Sequence, residues 1–166
     1  MTELLKKLCS LYGTSGDEGA VRAFIISEID GFCEWKIDNL GNIIAFKKGE
    51  ITPSKKLLID AHMDEVGLII SAITSDGFLK FKTIGGIDTA ALLFRNVKIN
   101  GNINGVINGK PVHLLDKKER EKLPKNDSLY IDIGASSKEE ALSLVSLGDR
   151  AVLESEFTLS NKKVIS

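Results

Sequence analysis

Closely spaced turn pairs containing glycine constrain the fold of this chain more strongly than any other feature. They separate short apolar runs, and they lie at Asp76-Gly77, Gly85-Gly86, Asn100-Gly101, Asn104-Gly105 and Asn108-Gly109. Asparagine and glycine favour the tight turns that join antiparallel strands, so we expect Gly101, Gly105 and Gly109 each to lie in a hairpin turn. This punctuation is typical of a small antiparallel barrel or sandwich.

The first part of the sequence has an α/β character instead. Apolar residues recur at helical spacing in two segments, at Leu4, Leu5, Leu8 and Leu11 and then at Val21, Phe24, Ile25 and Ile29. Between these segments, Ser15 and Glu18 have the spacing of a capping box, which predicts that Ser15 caps the second helix. Gly31 predicts the end of that helix.

Strand-forming segments follow the second helix. Residues 33–37 and 42–46 flank a connection that contains Asn39 and Gly41, which favours a hairpin. Residues 56–61 form a mostly apolar run, as expected of a strand buried on both faces of an α/β sheet. Residues 66–73 predict a long strand. The composition changes near Gly67, which divides an α/β part from a β-rich part that reaches about residue 160.

Three elements are predicted in the last third of the chain. Residues 117–123 favour a short helix, and Ser136 and Ser137 are N-cap candidates for another. Residues 162–165 predict a final strand.

The composition excludes several classes of function. The formal charge is -1 and 43% of the residues are hydrophobic, so the chain has enough apolar material for a core and no basic block for nucleic acid or an anionic membrane. No apolar run approaches the ~20 residues of a membrane span. The N-terminus lacks the apolar core of a signal peptide. Cys9 and Cys33 have no metal-site or disulfide-framework spacing. We expect a cytoplasmic protein.

The most informative polar residues are His62 and Asp64, which follow the apolar run 56–61. Residues two apart at the end of a strand project to the same side. A neutral imidazole nitrogen is a good ligand for a divalent metal, and a neighbouring carboxylate can fix its tautomer or share the metal. Taken alone, this short and common pattern favours a hydrogen-bonded structural histidine at a strand end, and that alternative stays open.

Blocks over nearly the whole chain resemble the glutamyl and tetrahedral aminopeptidases, a family of co-catalytic metallopeptidases that includes proteins labelled endoglucanase M. The matching blocks occur in family order: Gly13-Thr14-Ser15-Gly16-Asp17-Glu18, Asp38-Asn39-Leu40-Gly41-Asn42, Ala61-His62-Met63-Asp64-Glu65-Val66-Gly67, Ile84-Gly85-Gly86, Gly105-Val106-Ile107, Lys110-Pro111-Val112-His113-Leu114-Leu115, Tyr130-Ile131-Asp132-Ile133-Gly134-Ala135 and Ser137-Lys138-Glu139-Glu140. The resemblance implies an α/β fold: part of a zinc-peptidase-like α/β catalytic domain, followed by an inserted PDZ-like β-barrel domain.

The resemblance also implies domain boundaries, cofactors and partners. Residues 1–67 would begin the catalytic domain, residues 68–160 would form the inserted domain, and residues 161–166 would return to the catalytic domain. His62 matches the family's metal-binding histidine, and Asp64 matches the catalytic aspartate that orients it. The complete enzyme would hold two divalent ions, zinc or cobalt, would hydrolyse N-terminal residues from peptides, and would form a homo-oligomer.

The remaining ligands and the general base of the family have no counterpart among these 166 residues. One histidine and one aspartate cannot supply a two-metal hydrolytic site. We therefore expect this stretch to be inactive and not to retain the metals by itself. The alternative is a non-catalytic oligomerisation or interaction module.

Other polar residues are weaker candidates. His113 is the second of two histidines, and we interpret it as a structural residue of the β-rich part. No serine lies in a G-x-S-x-G context, which argues against a serine hydrolase. No pair of carboxylates is identified that would support glycoside hydrolysis.

Overall fold

The structure is a computed structural model that describes residues 1–51, 54–110, 116, 124, 126–160 and 163–165. Its helices are α1 (Thr2–Cys9), α2 (Gly19–Ile29) and α3 (Lys138–Leu144). Its strands are β1 (Glu34–Ile37), β2 (Ile43–Phe46), β3 (Gly67–Ile73), β4 (Leu79–Ile84), β5 (Asn96–Ile99), β6 (Ile103–Asn108), β7 (Tyr130–Asp132), β8 (Arg150–Leu153), β9 (Thr158–Ser160) and β10 (Lys163–Ile165). The helix predicted over 117–123 and His113 lie outside the described residues.

None of the helices in the described ranges is long and apolar enough to cross a membrane.

Six strands close into an antiparallel barrel in the order β3-β4-β7-β6-β5-β8. The barrel closes where β8 pairs with both β3 and β5, with Leu68 opposite Ala151 and Val97 opposite Leu153. Closure removes the open sheet edges on which other strands could pair. The glycine-containing turns predict a small antiparallel barrel or sandwich, and the structure has the barrel.

The β5–β6 hairpin shows how the turn chemistry works. Asn100 and Gly101 have φ values of 49° and 75°. Positive φ at both central positions is what the tight hairpin turn requires, and asparagine and glycine tolerate it best. The amide of Asn102 donates to the carbonyl of Ile99 over 3.1 Å and completes the turn. The prediction for Gly101 is confirmed.

Gly105 has a different role from the predicted turn. It lies inside β6, opposite Val97 of β5. A Cβ atom at this position would lie 2.7 Å from Cγ2 of Ile131. The turn prediction for Gly105 is wrong, because this glycine makes room for a core side chain of a neighbouring strand rather than reversing the chain. Gly109 follows β6 directly.

The barrel contains nearly all of the buried apolar side chains. Buried residues alternate along β5 and β6, as a half-buried strand requires, whereas in β3 the alternation of Leu68 and Ile70 shifts to Ile73 because the register with β4 shifts between Ile70 and Ala72. The cluster consists of Leu68, Ile70, Ile73, Leu79, Phe81, Leu92, Val97, Ile99, Ile107, Leu129, Ile131, Ala135, Ala141, Val145 and Ala151. Among the described residues, Val21 of α2 is the only buried hydrophobic side chain that lies outside this cluster.

Helix α3 covers the barrel and begins at a serine cap. The Ser137 hydroxyl accepts a hydrogen bond from the amide of Glu140 over 3.2 Å, and the amide of Ser136 donates to Oε2 of Glu140 over 2.8 Å. Ala141 and Val145 then pack into the core. Of the two predicted candidates, Ser137 provides the cap.

We expect Ser137→Ala to destabilise the protein by about 1 kcal/mol, since an amide of the first helical turn loses its acceptor. Ser136→Ala is the matched control, because Ser136 takes part through its backbone amide, and we expect it to leave stability nearly unchanged. Urea denaturation of both variants measures the difference. Equal effects of the two substitutions would contradict the assignment of the cap.

The N-terminal part consists of α1, α2 and the predicted hairpin. Strands β1 and β2 pair antiparallel, with Glu34 opposite Phe46. The Asp38 carboxylate organises their connection, because it accepts hydrogen bonds of 2.9 Å from the amides of Leu40 and Asn42. Hydrogen bonds from Asn42 and Leu40 hold the pKa of Asp38 below its usual value.

The strand predicted over residues 56–61 is absent. Leu57, Leu58 and Ile59 are 87%, 87% and 83% exposed, and no strand in the described residues pairs with this segment. The prediction is wrong for a physical reason. An apolar run favours burial. A strand that is buried on both faces also needs neighbouring strands to pair with and helices that cover the sheet.

Strand β10 at the end of the described residues confirms the predicted final strand. It pairs antiparallel with β9, with Val164 opposite Leu159.

Candidate active site

His62 and Asp64 lie together directly before the first strand of the barrel. Nδ1 of His62 is 2.8 Å from the carbonyl oxygen of Asp64 and 3.3 Å from its Oδ1. Both neighbours are acceptors, so Nδ1 carries the proton in the neutral imidazole and Nε2 keeps its lone pair. The His62 side chain is 84% exposed and that of Asp64 is 38% exposed. The expected juxtaposition is present, although residues 56–61 do not form the strand on which that expectation was based.

Ser15 contacts Asp64, which in turn contacts His62. Its hydroxyl donates a hydrogen bond to Oδ2 of Asp64, across 49 residues of sequence. This hydrogen bond, followed by the nearby imidazole of His62, holds the pKa of Asp64 below its usual value. The carboxyl group therefore remains an anion and an acceptor at neutral pH.

The capping-box prediction for Ser15 is consequently wrong. Helix α2 has Glu18 at its N-cap position, without a side-chain capping hydrogen bond. The Glu18 carboxylate instead accepts from the amide of Gly16. Ser15 and Glu18 have the right spacing, but their hydrogen-bonding groups have other partners in the folded chain.

Backbone contacts fix the loop that carries Ser15. The amide of Glu65 donates to the carbonyl of Gly13 over 2.8 Å, and Thr14 forms a parallel bridge with Glu65. Thr14 is fully buried. Its methyl group packs so closely on the barrel that a Cβ atom at Gly67 would lie 2.3 Å from it.

The same loop contacts β8 at the Arg150 side chain. A Cβ atom at Gly16 would lie 3.2 Å from a guanidinium nitrogen of Arg150. Burial raises the pKa of the nearby Tyr12 phenol to about 12, with a further increase from the Asp17 carboxylate and an opposing effect of Arg150. Tyr12 is therefore neutral at physiological pH.

Glu65 is the remaining titratable group beside the pair. Desolvation by the surrounding protein raises the pKa of its carboxyl group, even though the residue as a whole is exposed, and a hydrogen bond with the Gly13 backbone opposes the increase. In the part of the chain that is described, the hydrogen-bond and ion-pair partner of the His62 ring is Asp64 and not Glu65.

The described residues fit one part of a metal site. Nε2 of His62 is available for a metal, and Asp64 supports the ring from the opposite side, which is the usual arrangement of a ligating histidine. Within the described ranges, no group of three or more histidine, cysteine, aspartate or glutamate side chains comes together. Cys9 and Cys33 are free thiols.

Comparison with known proteins adds independent information. The sequence model of the M42 glutamyl aminopeptidase family matches residues 41–166. This chain belongs to that family. A lysyl aminopeptidase of Pyrococcus furiosus is 37% identical over 145 residues, which cover 84% of this chain and 41% of the relative.

Two solved structures of TET peptidases share this fold over the part that aligns. The TET aminopeptidase of the archaeon Thaumarchaeota archaeon SCGC AB-539-E09 aligns with a TM-score of 0.89 and 36% identity, over 96% of this chain and 45% of that one. Pyrococcus horikoshii TET1 peptidase, described as assembling into a tetrahedron or a large octahedral shell, aligns with a TM-score of 0.83 and 41% identity, over 96% and 48%. The chain spans less than half the length of these relatives.

Sequence reasoning placed His62 and Asp64 side by side and missed the contact of Ser15 with Asp64. Ser15 lies 49 residues from its partner, and its local sequence favours a helix cap. No spacing pattern links it to Asp64, so the contact emerges only once the loop is folded against residues 64 and 65.

Proposed function

We propose that this chain is the N-terminal part of a metal-dependent aminopeptidase that hydrolyses N-terminal residues from peptides. The observation that carries the proposal is the His62–Asp64 pair, in which Asp64 engages Nδ1 and leaves Nε2 available. Membership of the M42 family supports the choice of reaction.

The two residues have distinct proposed roles. Nε2 of His62 would hold one of two divalent ions, zinc or cobalt. Asp64 is the proposed catalytic carboxylate: it keeps the proton on Nδ1 of His62 and stabilises positive charge on the ring. Bound divalent ions of this kind polarise the scissile carbonyl and lower the pKa of the attacking water.

On this proposal, residues 1–166 contain only part of the active site. Two polar groups do not make a two-metal site, and the relatives are more than twice as long as the aligned part. We therefore propose that the general base and the other ligands belong to a further part of the protein, and that residues 1–166 alone neither retain the metals nor hydrolyse peptides.

The domain organisation follows as a proposal of the same kind. Residues 1–67 belong to a zinc-peptidase-like catalytic domain, residues 68–160 to a PDZ-like inserted domain, and residues 161–166 to the returning strand. The closed barrel over β3 to β8 supports the inserted domain. The shell assembly described for the Pyrococcus horikoshii peptidase supports a homo-oligomer. We also propose a cytoplasmic location, which agrees with the two free thiols of Cys9 and Cys33.

The native protein, purified from its source, tests the proposed reaction. We expect it to release N-terminal residues from short peptides, to lose this activity on treatment with a chelator, and to regain it with zinc or cobalt. The isolated chain of 166 residues, assayed in parallel, should be inactive. Activity of the native protein that persists after complete metal removal would rule the proposal out.

A second candidate, a non-catalytic assembly module, has its own support. The barrel has a buried core of its own, whereas Val21 is the buried hydrophobic side chain among the described residues before β3. On this proposal residues 68–160 self-associate without a peptidase function. A native protein of about 18.1 kDa without metal would favour this candidate, and a strict monomer on sedimentation at high concentration would exclude it.

A further inference from the structure

We propose that Ser15 is a positioning residue for the His62–Asp64 pair. Its hydroxyl binds Oδ2 of Asp64, which orients the carboxylate so that Oδ1 faces Nδ1 of His62 at 3.3 Å. The benefit for catalysis depends on the proposed function, whereas the effect on the His62 ring depends on these contacts alone.

The Asp64 carboxylate needs such a contact because rotation about its terminal torsion is nearly unrestricted. The terminal torsion of an aspartate side chain is broad, so nothing intrinsic selects which oxygen faces the imidazole. Asp64 has two oxygens, and the hydroxyl of Ser15 occupies one of them. A hydroxyl beside a carboxylate can only donate, so the contact has one hydrogen-bonding direction.

Ser15 is itself held in place from several sides. The residues beside it are fixed by the hydrogen bond from Glu65 to Gly13, by the bridge between Thr14 and Glu65, and by a hydrogen bond of 2.8 Å from the amide of Asp17 to the carbonyl of Thr14. Gly16 follows in the left-handed region with φ of 81°. The hydroxyl is therefore presented to Asp64 by a loop anchored in the buried Thr14.

A purely local role for this serine does not fit the contacts. Helix α2 receives no side-chain capping hydrogen bond, so the hydroxyl does not stabilise the helix it precedes. Among the described residues, its hydroxyl donates to the side chain of Asp64 rather than to a backbone group of its own loop. Removing the hydroxyl should thus change the orientation of Asp64 more than the stability of the loop.

The tautomer of His62 is the direct readout. In the wild-type protein without metal, two acceptors of Asp64 favour the tautomer with the proton on Nδ1, namely its backbone carbonyl at 2.8 Å and its Oδ1 at 3.3 Å. Ser15 acts on the carboxylate alone, so the shift that its removal causes is partial. A free imidazole favours the proton on Nε2, so Ser15→Ala should shift the population toward Nε2–H, and Ser15→Thr, which restores the hydroxyl, should shift it back. Long-range proton–nitrogen NMR correlations of the imidazole measure the ratio, with His62→Gln to assign the signals.

Activity of the native protein gives the second readout. Because Ser15 acts through Asp64, we expect Ser15→Ala to lower kcat about 10- to 100-fold with little change in KM, and Ser15→Thr to recover most of the loss. Ser15→Cys, with a side chain of similar size and a weak donor, should give an intermediate tautomer ratio and guards against a packing defect in the alanine variant.

The outcomes separate this inference from the proposed function. An unchanged tautomer ratio in both Ser15→Ala and Ser15→Cys would overturn the positioning role. A shifted ratio in a native protein without aminopeptidase activity would support the positioning role and refute the proposed function.

Discussion

His62→Ala should abolish metal-dependent release of N-terminal residues by the native protein, lowering kcat/KM on the order of 10³-fold or more. The substitution removes Nε2, the proposed ligand, and a bound metal contributes several kcal/mol of transition-state stabilisation, each 1.36 kcal/mol of which is a factor of ten. Metal content, measured on the same samples, should fall with activity. Initial rates at several peptide concentrations provide the measurement.

Asp64→Asn sharpens that test, because it keeps the size of the side chain and removes its charge. We expect a loss of about 10- to 100-fold, smaller than for His62→Ala, since the substitution alters the support of the ring and leaves the proposed ligand in place. The control is His113→Gln at the chain's other histidine, which should retain wild-type activity. If His62→Ala retained more than a tenth of the activity, His62 would not be a metal ligand.

The second large effect concerns the barrel core. Leu79 on β4 is fully buried, and Leu79→Ala should lower the free energy of unfolding by about 2–5 kcal/mol, because the lost side chain leaves a cavity that neighbouring strands fill only in part. Urea denaturation followed by far-ultraviolet circular dichroism measures the effect. Trp35 lies on β1, outside the barrel, so its fluorescence would not report on this core.

Leu147→Ala is the matched control for the cavity. Leu147 is 61% exposed, so the same chemical change should alter stability by less than about 0.5 kcal/mol. Equal destabilisation by the two variants would contradict a core centred in the barrel.

The barrel was predictable because its signals are local. Asn100-Gly101 encodes a turn by its own backbone preferences, and Ser137 encodes a helix start three residues before its partner Glu140. Gly105 shows the limit of such reasoning. Its sequence context is also Asn-Gly, yet what demands glycine there is Ile131, a residue of another strand.

The site was predictable only in part, for a similar reason. His62 and Asp64 are neighbours in sequence, so their juxtaposition could be inferred. Ser15 has a local signal for capping and a long-range hydrogen bond to Asp64, and the long-range contact prevails in the folded chain. The run of residues 57–59 likewise indicates burial without indicating a partner, and its side chains remain exposed.

These contacts also place the candidate site at the junction of two parts of the molecule. Residues 13–15 hold residues 64 and 65, and Thr14 packs against Gly67 at the start of the barrel. The buried Thr14 therefore contacts the start of β3, and its neighbours in the same loop contact Asp64 and Glu65.

The most direct test of the account is the metal position in crystals of the native protein grown with zinc. Anomalous scattering at the zinc edge should place an ion about 2.0–2.1 Å from Nε2 of His62, with Nδ1 still facing Asp64. Zinc bound through Nδ1, or an ion at another place with His62 free, would contradict the assignment of His62 as ligand and of Asp64 as the residue that orients it.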